Sequence, residues 1–171
     1  MAIYAFFLLQ SRKYDASTLE STATLNPCGN PLMINTAYVL MSGKVVDVIN
    51  GDTFVLIDNL GVKKTVHLIG IKAPSLNKLV GVQSQEHLSK ILLNNHVTIG
   101  MANSADSQKE NVTALVSVDD ESLSSVNIEQ LKNGFAEYVD AEISLDSYQS
   151  CAYKNAEQEA KINKLGIWLT R

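Results

Sequence analysis

The side chains with the greatest capacity for chemistry are a carboxylate and an imidazole. Asp52 lies in an Asn-Gly-Asp-Thr turn at residues 50–53, and His67 lies in the next apolar stretch. A carboxylate binds hard cations such as calcium, and an imidazole exchanges a proton near neutral pH. With a further acid, Asp47 or Asp106, this pair could activate water beside a metal ion. The alternative is structural, because hairpin aspartates accept hydrogen bonds from turn amides and strand histidines are commonly hydrogen-bonded.

A set of lysines lies on or near the same hairpin and the loop that follows it: Lys63, Lys64, Lys72 and Lys78. Ammonium groups bind nucleic-acid phosphates, so these residues are the candidates for binding a single strand. Stacking aromatics normally accompany such lysines, but aromatic residues make up only 6% of the chain and only Phe54 is nearby. A solvated lysine surface is the alternative, and a protein partner is slightly favoured over a nucleic acid.

The composition excludes several classes of protein. The net charge of −4 and the pI near 5.3 disfavour a tight, sequence-blind binder of nucleic acid. No apolar run approaches the roughly 18–20 residues of a membrane-spanning helix, so we expect no membrane partner. The length of 171 residues suits one domain with an appendage. The acidic second half could also face a basic partner, although charge runs usually form a solvated surface.

The first forty residues differ from the rest of the chain. The apolar run at residues 2–9 resembles a short signal core, but no basic residue precedes it, and an extra packed element or an upstream segment explains it equally well. Cys28 and Cys151 would pair only in an oxidising compartment. We expect a cytoplasmic protein, with secretion as a minority possibility, in which residues 1–40 are an extension and residues 41–171 form the domain.

The pattern after the extension predicts a β-rich domain. Residues 45–49 and 54–57 flank Asn50-Gly51 and predict a hairpin, and residues 65–71 predict a third strand. Ser84 is the expected cap of a helix that runs to Asn95. Two further strands are expected at residues 97–101 and 112–118.

The C-terminal part of the pattern is helical. After a turn at residues 119–122, a short helix places Ile128 and Leu131 on one face and stops at Gly134. A last helix is expected from about residue 145 to 165, ended by Gly166. The sequence therefore predicts an α+β, mainly β fold, in which a five-stranded barrel is buttressed by three helices.

Four segments carry a resemblance to a known family. Residues 48–53, 67–74, 127–136 and 156–168 resemble the staphylococcal nuclease (thermonuclease) family in order and spacing, over about residues 42–169. The resemblance implies an oligonucleotide/oligosaccharide-binding (OB) barrel with packed helices. It also implies a calcium-assisted phosphodiesterase, in which carboxylates hold the metal, a glutamate manages the attacking water and two arginines clamp the phosphate.

When the functional groups of the family are placed on this sequence, one position is intact: a metal carboxylate falls on Asp52. The others are replaced: the upstream acid by Asn50, the first arginine by His67, the second carboxylate by Lys72 and the glutamate by Ser75. The second arginine would lie within residues 108–112, where the sequence has none. Losing one preorganised group typically costs about a hundredfold to a thousandfold in rate. Calcium-dependent hydrolysis is therefore not expected, and Asp52 is at most a weak metal ligand.

The departures are similar to those of the nuclease-like repeats in Tudor staphylococcal-nuclease proteins, especially at residues 71–76 and 85–93. That likeness implies RNA binding and protein scaffolding. We therefore expect a catalytically degenerate nuclease-fold module for protein interaction, single-stranded RNA binding or both, with no cofactor. The alternative is an active metal-dependent endonuclease with a rearranged site around Asp52 and His67, which would need Ca2+ or another divalent metal.

Overall fold

The computed structural model describes Cys28 and residues 38–118, 125–140 and 147–169. Five strands form a closed barrel in the order β1-β2-β3-β6-β5: β1 Val39–Asn50, β2 Thr53–Asp58, β3 Lys63–Leu68, β5 His96–Met101 and β6 Asn111–Val118. Two short strands, β4 Ile71–Lys72 and β7 Glu137–Tyr138, form a separate pair. The described helices are α1 Leu79–Leu92, α2 Ser125–Lys132 and α3 Ser147–Ile162. The expected five-stranded barrel with three packed helices is confirmed.

The hairpin of β1 and β2 closes at the Asn-Gly turn, as predicted. Asn50 pairs with Thr53, and the Asn50 side-chain oxygen accepts the amide hydrogen of Asp52 at 2.9 Å. This local hydrogen bond stabilises the reversal of the chain, which is the usual reason for asparagine at such a turn. β3 then runs antiparallel to β2 and parallel to β6, which closes the barrel.

The third strand is shorter than the sequence predicts. β3 ends at Leu68, and Gly70 has a φ of +75°, a conformation that favours glycine. The chain therefore turns before Ile71, which leaves the barrel and pairs with Tyr138 in β7. This break takes Lys72 and the following loop away from the barrel wall.

Helix α1 begins five residues before the predicted cap. Lys78 occupies the N-cap position without a side-chain hydrogen bond, and Ser84 lies buried within the helix. The Ser84 hydroxyl donates instead to the carbonyl of Phe135 at 2.7 Å. The predicted cap was wrong because the Ser84 hydroxyl bonds a residue that is distant in sequence. The helix also ends at Leu92, before Asn95.

The core fills the barrel and extends under the helices. Alternate strand residues such as Phe54, Leu56 and Val66 are fully buried, as are Leu88 of α1 and Leu131 of α2. Each large side chain removed from water in this way contributes about 1.5–3 kcal/mol of hydrophobic stabilisation. The packed helices therefore share one core with the barrel.

The ends of α2 and α3 meet backbone to backbone. Gly134 has a φ of +68° and donates its amide hydrogen to Leu131, while Phe135 donates to Gln130, so the predicted helix stop at Gly134 is confirmed. α3 ends at Ile162, earlier than predicted, and Lys164 takes the left-handed conformation there. Gly166 packs against Gly134, where a Cβ atom would lie 2.0 Å from the Gly134 oxygen.

Cys28 and Cys151 form a disulfide that joins the N-terminal region to α3. In the part of the chain that the structure describes, no helix is long and apolar enough to cross a membrane. The apolar run at residues 2–9 and the predicted turn at residues 119–122 lie outside the described residues.

Candidate functional site

Both oxygens of the Asp52 carboxylate accept hydrogen bonds from the protein. The Thr53 hydroxyl donates to Oδ1 at 2.7 Å, and the backbone amide of Ala73 donates to Oδ2 at 2.7 Å. The Asp52 carbonyl also accepts the amide hydrogen of Leu68 at 2.8 Å. Asp52 thus ties the β1–β2 turn to the end of β3 and to the loop after β4. These contacts hold the turn in place.

His67 is connected to Asp52 through Thr53. The His67 Nδ1 atom lies 3.1 Å from the Thr53 hydroxyl oxygen, and Thr53 is buried while His67 is exposed. Because the hydroxyl hydrogen is directed at Asp52, Nδ1 must be the donor to Thr53. In the neutral ring, Nε2 is then the nitrogen without a proton. Thr53 was missed by the sequence analysis, although it follows Asp52 in the motif.

A buried amide fixes the turn to the helices. Gln130 of α2 is fully buried, donates from Nε2 to the Gly51 carbonyl at 2.5 Å and lies within 3.4 Å of the Ser84 hydroxyl. Its Oε1 atom accepts from His87 Nδ1 at 2.5 Å, and the His87 ring lies against Phe135. The turn that carries Asp52 is therefore held by α1 and α2 together.

Gly51 is required by this close approach. A Cβ atom on Gly51 would lie 1.7 Å from the Ser84 Oγ atom and 2.7 Å from its Cβ. No larger residue fits between the turn and α1 without displacing one of them.

A second buried amide anchors the end of β3. The Oδ1 atom of Asn127 accepts the amide hydrogen of Val116 at 3.1 Å, and its Nδ2 atom donates to the Ile69 carbonyl at 3.0 Å. Sequence analysis missed Asn127 and Gln130. Their spacing with Leu131, three and four residues apart on the face of α2 that meets the core, was the available signal.

The residues around Asp52 do not fit the metal of an active nuclease of this kind. Calcium takes six to eight oxygen ligands as a rule, and the Asp52 carboxylate, whose oxygens each accept one hydrogen bond, could supply at most two of them. Lys72 immediately precedes the residue whose amide binds Asp52, at the sequence position where the family resemblance implies a second carboxylate. Among the described residues, no three His, Cys, Asp or Glu side chains form a group that could hold a metal ion.

The two additional acids weighed as partners of Asp52 lie elsewhere. Asp47 is exposed on β1 and pairs with Val55, away from the turn. Asp106 forms an ion pair with Lys109 at 2.6 Å in the loop between β5 and β6. Neither arrangement provides the second carboxylate that a rearranged metal site would need.

The structure separates the candidate lysines. Lys64 is buried, and its ammonium group donates to the carbonyls of Ser107 and Lys109, each at 2.9 Å. In this structure its ammonium group holds the loop before β6 and is not presented to a phosphate. Lys63 is exposed at the opposite end of β3 from Leu68, about 17 Å along the strand.

Lys72 and Lys78 are brought together at a cavity of about 590 Å3, to which β4, the following loop, the start of α1 and the C-terminal segment contribute. Both lysines are exposed. Neither Asp52 nor His67 is among its described lining residues. The two lysines that remain together therefore belong to a surface beside the Asp52 turn.

The barrel and its packed helices define a nuclease-type fold, and the comparison with protein families agrees. Residues 65–170 match the family described as staphylococcal nuclease homologue. The match covers more than half of the chain, which therefore belongs to this family. A comparison with curated proteins gave no match.

Proposed function

We propose that this protein is a catalytically degenerate nuclease-fold module that binds a partner, with a protein favoured over a single-stranded RNA. One observation carries the proposal: among the described residues, no three His, Cys, Asp or Glu side chains form a group that could hold a metal ion. Asp52, the one carboxylate of the family motif that the sequence retains, belongs to no such group, and Lys72 and Ser75 stand at two other functional positions of that motif. The likeness to the degenerate repeats of Tudor staphylococcal-nuclease proteins supports the same function.

The expected loss of rate is large. The general base and both arginine clamps of an active site are replaced by Ser75, His67 and residues without a guanidinium group. At about a hundredfold or more for each group, these losses together remove several orders of magnitude, although such effects do not simply add.

The charge and the surface favour a protein partner. The net charge is −4, and one of the four candidate lysines, Lys64, is buried. Of the other three, Lys63 lies apart from Lys72 and Lys78. Single-strand binders combine a continuous basic groove with aromatic platforms, and none of the described residues that line the cavity is aromatic.

The test is hydrolysis of labelled single-stranded DNA and RNA by the pure protein with calcium, magnesium, manganese or a chelator. Asp52→Asn, which keeps the shape of the side chain, is measured beside it. We expect no metal-dependent cleavage by either protein, and weak retention of the strands at moderate salt. Cleavage that requires a metal and disappears in Asp52→Asn would overturn the proposal.

A second candidate function is a nuclease with a rearranged site, and the chain Asp52–Thr53–His67 favours it. The buried hydroxyl and carboxylate orient an exposed imidazole whose Nε2 can accept a proton from an attacking group. In this case His67→Ala would abolish activity, and Thr53→Val would reduce it and alter its pH profile. Activity that is unchanged in both variants would exclude this role for His67.

The disulfide bears on the location of the protein. Disulfides persist in oxidising compartments and are rare in the cytosol, so the Cys28–Cys151 bond favours secretion over the cytoplasmic location expected from the sequence. Alkylation of free thiols in intact source cells, followed by peptide mapping, tests this. Recovery of the disulfide-linked peptides supports an oxidising compartment, and alkylated cysteines would restore the cytoplasmic interpretation.

A further inference from the structure

The cavity beside the Asp52 turn has walls that are fixed by the backbone. Lys78 donates its amide hydrogen to the Ser75 carbonyl, and a Cβ atom on Gly81 would lie 2.1 Å from that same oxygen, so the start of α1 packs directly on the loop. On the other side, Ile167 donates to the Gly134 carbonyl at 2.9 Å. The cavity is therefore largely preformed, which lowers the entropic cost of binding.

Two cations and one carboxylate line this cavity in the part of the chain that the structure describes. Lys72 and Lys78 are exposed, and neither forms an ion pair with any residue that the structure describes. Glu137 lies opposite Lys72 in the pairing of β4 and β7. The described lining thus carries a net positive charge in a protein whose net charge is −4. Such a local reversal of sign favours an anionic ligand.

The same cavity is bordered by exposed aliphatic side chains. Leu79 is 76% exposed and Leu169 is 68% exposed, and both contribute to the lining together with Ile167. Exposed leucines next to unpaired lysines mark a surface that gains stability when an apolar group covers it. Free phosphate or a sugar-phosphate strand offers no aliphatic group for this purpose.

We propose that this cavity binds a protein segment that carries both acidic residues and leucine-like aliphatic residues. The carboxylates of the segment pair with Lys72 and Lys78, and its aliphatic side chains cover Leu79 and Leu169. Nucleic acid is the disfavoured occupant, because the described lining contains no ring on which a base could stack. This inference rests on the proposed function as a binding module and names the class of partner.

The experiment is selection of phage-displayed random peptides on the full chain, followed by binding of the enriched peptide in synthetic form. The variant Lys72→Glu/Lys78→Glu reverses the charge of the cavity. The matched control, Lys44→Glu/Lys90→Glu, changes two exposed lysines elsewhere by the same amount. A third variant, Leu79→Ser, removes the most exposed aliphatic side chain of the described cavity lining without opening the core.

We expect the enriched peptides to be acidic and aliphatic. Their Kd should rise about tenfold or more in Lys72→Glu/Lys78→Glu, about threefold or more in Leu79→Ser, and less than about twofold in the control. No enrichment, enrichment of basic or aromatic peptides, or equal weakening in the control overturns the inference. The hydrolysis assay on the same preparation separates the two proposals, because cleavage contradicts the degenerate module while peptide binding tests the cavity.

Discussion

Replacing Gln130 by leucine removes the hydrogen bonds that hold the Asp52 turn to α2. The substitution keeps a similar volume but leaves the Gly51 carbonyl and His87 Nδ1 without their partner. A buried polar group without a partner costs about 1–3 kcal/mol. His87 is half-buried and can be partly solvated, so we expect a loss of about 2–4 kcal/mol in the free energy of unfolding.

The measurement is urea unfolding at neutral pH with linear extrapolation. Gln83→Leu makes the same chemical change at an exposed position of α1 and should alter stability by less than about 0.5 kcal/mol. In Gln130→Leu/His87→Leu the loss should be smaller than the sum of the two single losses by about 0.5–1.5 kcal/mol, because each single variant already removes their shared hydrogen bond. If Gln130→Leu is as stable as Gln83→Leu, the turn does not depend on this amide.

Gly51→Ala should lower the free energy of unfolding by about 1–3 kcal/mol, measured by thermal unfolding, because the added Cβ would overlap Ser84 Oγ. A variant as stable as the wild type would show that the turn can move aside. Lys64→Met should cost about 1–3 kcal/mol by leaving two carbonyls unpaired. The same change at exposed Lys63 is its control, and equal effects would contradict the structural role of Lys64. Reduction of the disulfide, whose cysteines are 123 residues apart, should lower stability by up to about 4–5 kcal/mol. Reductant should have no effect on the double Cys→Ser variant, and a similar decrease there would assign the loss to another cause.

The sequence predicted those parts of the fold that depend on neighbouring residues. The hairpin follows from the Asn-Gly turn, and the stop of α2 follows from Gly134, whose positive φ needs glycine. The predicted start of α1 was wrong because no side chain caps the helix at its N-terminus. Ser84 is a residue type that often caps helices, but its hydroxyl donates to the carbonyl of Phe135, 51 positions away. Contacts over such separations leave no local pattern.

The residue types at the candidate site could be found in the sequence, but the contacts that those residues make were harder to predict. The structural alternative for Asp52 fits the contacts observed, although one donor comes from Ala73 in a different loop and not from the turn. Lys64 was included among the lysine candidates, but strand alternation places it on the inward side with Val66 and Leu68. The alternation was visible in the sequence. The hydrogen bond from Gln130 to Gly51, in contrast, depends on the packing of α2 against the barrel.

The hydrogen bonds of Asp52 give the turn a structural reason to be retained, independent of any reaction. Since Thr53, Ala73 and Leu68 all donate to this residue, selection for folding alone would retain the Gly-Asp-Thr turn after hydrolysis is lost. If the proposed loss of hydrolysis is correct, positions that serve only the chemistry, such as those of Lys72 and Ser75, would be free to change. A Gly-Asp-Thr turn held by such contacts can therefore persist where hydrolysis does not, and the turn alone is no evidence that a protein of this fold cuts nucleic acid.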